Sequence, residues 1–140
     1  MRSLQQFCAA LIVPAVLATT PVWAEDAVKM AQKVIESQIA AFLNEDADAA
    51  YERASPAIKK KFPDKAVFFE MVRRDYTAVY QPGNFTFGTS RVDGDVVLQE
   101  VRISAPDGQE WVAVYQLVKE GNQPFTINGV RMMKAQGTAL

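Results

Sequence analysis

The chain has 140 residues, 49% of them hydrophobic, and carries 15 basic against 16 acidic side chains. That is enough apolar material for one packed domain and too balanced a charge for a nucleic-acid footprint. There is no histidine and a single cysteine, Cys8, which excludes histidine general-base chemistry and imidazole metal ligation and confines thiol chemistry to the N-terminus.

The first 24 residues read as an export signal. Arg2 is followed by the apolar run FCAALIVPAVLA over residues 7–18, then by the small and polar residues of TTPVWA. This is the charged, apolar and cleavable order of a secretory leader. Val22 and Ala24 stand third-last and last before a small-residue cleavage site, so the expected cut falls after Ala24. The competing reading is an uncleaved anchor, but a spanning helix needs about 20 apolar residues, and this run is shorter and interrupted by Pro14. Cys8 lies inside the apolar run and not behind it, so it reads as an apolar residue of the leader and not as a lipid-modified cysteine. Cleavage leaves one cysteine-free domain, residues 25–140, with a net charge of −2 against −1 for the whole chain, because Arg2 is the only charge removed. The expected location is periplasmic or secreted in a bacterium, with no stable membrane anchor.

In the first half the apolar residues keep a helical period. Val28, Ala31, Ile35, Ile39 and Phe42 recur at three- and four-residue spacing, predicting a helix over residues 25–43 with Glu25 and Asp26 at its positive end. After NEDAD, Asp46 or Asp48 caps a short helix with Ala47, Ala50, Tyr51 and Ala54 on one side, ended by Ser55-Pro56. Ser55 then caps the turn PAIKKKF with Pro56 at its first helical position, and Lys59, Lys60 and Lys61 form a solvated face. Asp64 caps a further helix reaching Tyr76, whose stripe Val67, Phe68, Met71 and Val72 is expected to face the core.

The second half changes period. After the turn at residues 81–84, the dipeptides Asp93-Gly94, Asp107-Gly108 and Gly121-Asn122 separate four runs: FTFGTSRV, VVLQEVRISA, EWVAVYQLV and PFTINGVRMM. Turn dipeptides between alternating runs predict hairpins, hence a four-stranded antiparallel meander. The third run, residues 111–118, is apolar on both faces and is expected to be buried on both sides. Gly129 is expected to mark a bulge in the last strand. The fold class is therefore α+β, with N-terminal helices packed on one face of a curved meander sheet.

The order of QIAAFLNEDADAAY, ASPAIKKKF, FFEMVRRDY, AVYQL and FTINGVRM over roughly Val28 to Met133 resembles the bacterial domain of unknown function 4864 family. That family in turn resembles the nuclear transport factor 2-like, or cystatin-like, superfamily of cone-shaped α+β domains. The resemblance implies a hollow between helices and sheet, and it brings no assigned reaction. The closing strand departs from the family's frequent Trp-x-Ile-x-Gly in having Phe125 first, an aromatic for an aromatic.

Polar and aromatic residues set in apolar stripes are the candidate ligand contacts: Gln38, Tyr51, Phe68, Tyr76, Trp111, Tyr115 and Arg131. Aromatics with a polar tip suit the wall of an amphipathic pocket, and ordinary core packing is the alternative for each. Gln38 orients a ligand or bonds to backbone. An arginine facing inward would select an anion, and the face taken by Arg131 depends on the bulge beside it. No catalytic residue, metal ligand or cofactor is assigned.

The expected function is non-catalytic binding of a small apolar or amphipathic ligand, or of a protein partner, including a second copy through the sheet. The alternative is a cofactor-free isomerase or dehydratase with Asp75 or Glu100 as base and a tyrosine as electrophile. Two titratable groups converging on an apolar cavity would favour the enzyme. A hollow filled by its own side chains, with an apolar outer sheet, would favour a partner.

Overall fold

In the computed structural model, residues 22–135 are described. The leader expected over residues 1–24 lies outside them except for its last three residues. Helices come first: α1 (Val22–Leu43), α2 (Ala47–Glu52), α3 (Pro56–Lys61), α4 (Lys65–Asp75) and α5 (Thr77–Tyr80). Strands follow: β1 (Asn84–Asp93), β2 (Val96–Ser104), β3 (Glu110–Val118) and β4 (Thr126–Lys134).

The starts of α2, α3 and α4 are fixed by the capping residues the sequence offers. Asp46 Oδ1 accepts from Ala49 N at 3.1 Å, Ser55 Oγ from Ile58 N at 3.2 Å, and Asp64 Oδ1 from Ala66 N at 2.8 Å. Each such cap stabilises its helix by about 1 kcal/mol. Two boundaries differ from expectation. α1 is already helical at Val22, the first described residue, three residues ahead of the expected start, and Ala27 is its first buried residue. α4 stops at Asp75, one residue early, because Tyr76 turns away at φ −127°, ψ 48°, before α5 resumes. Val67 was expected in the core and is 54% exposed. Phe68 and Val72 share the buried face of α4 at four-residue spacing, and a neighbour one residue earlier is rotated about 100° away from Phe68.

The four strands form one open antiparallel sheet in the order β1-β2-β3-β4. Cross-strand rows put Phe85, Ile103 and Trp111 in line, then Phe87, Val101, Ala113 and Met132, then Ser90, Gln99, Tyr115 and Val130. These rows form the inner face, against which α1 packs Ala31, Ile35, Ile39 and Phe42. The expectation that β3 is buried on both faces is corrected. Ala113, Tyr115 and Leu117 are fully covered, whereas Val112, Val114, Gln116 and Val118 are only half-buried. The helices cover one face, and an antiparallel sheet tolerates a second face open to solvent.

The register slips where Gln116 faces Gly129 but Leu117 faces Ile127, so Asn128 is the extra residue of a bulge beside Gly129. A second bulge, between Phe87 and Ser90 on β1, was not anticipated. There the buried Gln99 donates to Gly88 O at 3.2 Å and accepts from Gln32 Nε2 at 3.1 Å. The tight turn between β1 and β2 is Gly94-Asp95, with Gly94 at φ 56°, where a side chain would be strained. The free edge of β4 is covered by residues 53–55: Ser55 N donates to Ile127 O at 2.9 Å and Ile127 N to Arg53 O at 2.8 Å.

Candidate functional site

The hollow between helices and sheet is filled by the protein's own side chains. Phe42, Phe68, Phe69, Tyr80, Tyr51 and Phe62 form a ring cluster with centroids 5.4 to 6.4 Å apart. About 60 Å3 of space remains beside Gln38, Phe68, Tyr76 and Val130. Organic ligands occupy sites of roughly 300 Å3 or more, so the expected inner ligand chamber is corrected to a packed core. Gln38 is 3% exposed and donates to Ala50 O at 3.1 Å, tying α1 to α2. Tyr115 is fully buried, and its hydroxyl has no hydrogen-bond partner among the described residues. Burial alone pushes its phenol far above the ordinary tyrosine range.

A roomier space lies at the rim. A cleft of about 470 Å3 lies between the α4–α5 junction and the loop joining β2 to β3. Tyr76, Trp111 and Met132 supply its apolar walls, and Asp75, Gln81 and Asp107 its polar ones. The break in α4 is what brings Tyr76 here, and Trp111 enters as the second residue of β3, opposite Lys134. Both rings are half-buried. The Tyr76 hydroxyl, the Trp111 indole N–H and the Gln81 amide take no side-chain hydrogen bond from the described residues. Asp107 Oδ1 accepts from Gln109 N at 2.9 Å, holding the loop. The Lys134 ammonium stands 5.9 Å from the Trp111 ring centroid.

Thus Tyr76 and Trp111 meet in the rim cleft, while Gln38, Phe68 and Tyr76 border the small core cavity. The other candidates lie elsewhere. The Tyr51 hydroxyl donates to Phe62 O at 2.6 Å, fastening α2 to the end of α3. Arg131 pairs with Val114 on the outer sheet face and is exposed. Met132, Gln81 and Asp107 were missed as cleft residues. Asp107 had a signal, its Asp-Gly dipeptide, which reads first as turn punctuation.

Each candidate base is already held by hydrogen-bond donors beside it. Asp75 lines the cleft, but Arg74 Nε and Nη2 each donate to it at 3.0 Å. Those bonds hold its carboxyl below the usual range, which weakens it as a base. Glu100 lies on the outer face, bound by the Thr89 hydroxyl and by Thr89 N at 3.3 Å, and these bonds likewise lower its pKa. Among the described residues no three His, Cys, Asp or Glu side chains are grouped to hold a metal ion, and no helix is long and apolar enough to cross a membrane.

Fold and site together define an α+β domain in which helices cover one face of an antiparallel meander and an aromatic cleft opens at the rim. Residues 24–140 match the family described as Domain of unknown function (DUF4864), and the chain belongs to that family. No curated protein matches it.

Proposed function

We propose that this chain is an exported, non-catalytic binding domain that takes a small amphipathic molecule in the rim cleft. One observation carries this: Tyr76 and Trp111, whose hydroxyl and indole N–H have no hydrogen-bond partner among the described residues, line a cleft of about 470 Å3. Polar tips on apolar walls are what fix the orientation of an amphipathic ligand. Export is supported by the leader pattern of residues 1–24, and of the described residues a cut after Ala24 removes only Val22, Trp23 and Ala24, none of them buried. Kinship with the nuclear transport factor 2-like superfamily belongs to the same proposal and is supported by the helix-then-meander order.

The test is native mass spectrometry of protein recovered from the periplasm, with N-terminal sequencing of the same sample. A chain starting at Glu25 that carries a small molecule, lost in Trp111→Ala and Tyr76→Ala, is the expected result. A bare chain would count against the cleft, and one starting at Met1 against export.

A second reading, a homodimer through the outer sheet, is favoured by the half-buried Leu98, Val112, Val114 and Val118 and the exposed Met133 on that face. Glu100 and Arg131 flank Val114 in one cross-strand row. A twofold axis along β3 would set each Glu100 against the other copy's Arg131, a self-complementary arrangement. Light scattering would give twice the monomer mass, reverting to monomer in Val114→Glu.

A further inference from the structure

We infer that the rim cleft selects an amphipathic cation, an amine or quaternary ammonium carried on an apolar body; this rests on the cleft being a ligand site. Two carboxylates, Asp75 and Asp107, line the cleft, and no lysine or arginine does. They share it with the rings of Tyr76 and Trp111, and an aromatic face attracts a cation through its quadrupole. The domain already uses the indole in this way, since the Lys134 ammonium lies 5.9 Å from its centroid without lining the cleft.

The other charge classes fit worse. An anion would enter a wall that holds two acids and no base. A neutral ligand would strip water from both carboxylates without replacing the lost interactions. A cation supplies them, at the cost of sharing Asp75 with Arg74. That cost is small, because the two side chains are 49% and 74% exposed, and an exposed ion pair is weak and exchanges readily.

The test is calorimetric titration of the purified protein with three probes of similar body: benzyltrimethylammonium, benzyl alcohol and phenylacetate. The cation is expected to bind about tenfold tighter than the alcohol, with phenylacetate weakest. In the double variant Asp75→Asn, Asp107→Asn the cation should fall to the level of the alcohol while alcohol binding is kept. Both positions are exposed, and asparagine keeps the oxygen that accepts from Gln109 N. Should the double variant not fold, Asp107→Asn alone is expected to lose part of the same preference. Alcohol or phenylacetate binding as tightly as the cation, or a preference undiminished in the variants, overturns the inference and leaves the ligand site standing. If no probe binds, both fall.

Discussion

The two faces of β3 are built from almost equally apolar residues and meet opposite fates. Inward, Ala113, Tyr115 and Leu117 are sealed under the helices. Outward, Val112, Val114, Gln116 and Val118 stay only half-buried. Hydrophobicity of a strand thus fixes which residues tolerate burial, whereas the placing of the helices decides which face receives it. The inner face is consumed by packing, so binding capacity is left to the rim and to the outer face.

The sharpest way to break that contrast is paired truncation. Leu117→Ala should cost about 3 kcal/mol, the range for emptying a sealed leucine site, while Val114→Ala should cost about 1 kcal/mol or less. Denaturant titration of both variants checks this, and similar losses would mean that the outer face is covered as well.

Ser55→Ala comes next. Its hydroxyl accepts from Ile58 N and donates to Asn128 Oδ1 at 2.8 Å, and Asn128 Nδ2 donates to Gln116 Oε1 at 2.8 Å. One buried group thereby links the start of α3, the bulge of β4 and the outer row of β3. Losing the cap and orphaning an amide oxygen should cost about 2 kcal/mol in the same titration. A loss below about 0.5 kcal/mol would mean that the chain of bonds is slack.

Tyr115→Phe tests the inner face from the other side. The hydroxyl is buried without a partner among the described residues, so its removal should leave the protein as stable or more so, by about 1 kcal/mol. A clear destabilisation would show that the hydroxyl does find a partner.

Much of this architecture was legible in local chemistry. The caps Ser55 and Asp64, the choice of Asp46 or Asp48 before α2, the strand order and the bulge beside Gly129 follow from residues that act on their immediate neighbours. What was not legible depends on distant partners. Tyr76 breaks a helix without a glycine or proline, and Glu45, at φ 54° beyond the end of α1, accepts from the buried Tyr80 hydroxyl at 3.3 Å. Burial, with the Glu45 carboxylate beside it, raises the Tyr80 pKa. The site was half visible: Tyr76 and Trp111 stood out as aromatics with polar tips, but a cleft shared by a helix break and a hairpin loop has no pattern along the chain. The face of Arg131 turns on which residue of β4 is the extra one, and that residue is Asn128.

The smallest effect concerns Glu100, which gives the outer face a structural tie of its own. Its carboxylate spans the β1 bulge, where the Thr89 hydroxyl and N–H both donate to it. These bonds hold its folded pKa below the ordinary 4.5. A group with a depressed folded pKa adds stability that is fully present above the unfolded value and is lost as pH falls through the folded one. Glu100→Gln should therefore be less stable than the parent near neutrality, and the gap should close as pH falls from about 7 to about 3. The Arg74–Asp75 pair titrates alike in both proteins and cancels from the difference. Thermal midpoints of the two chains across that range check this, and a gap that stays constant would mean that the glutamate acts there by shape and not by charge.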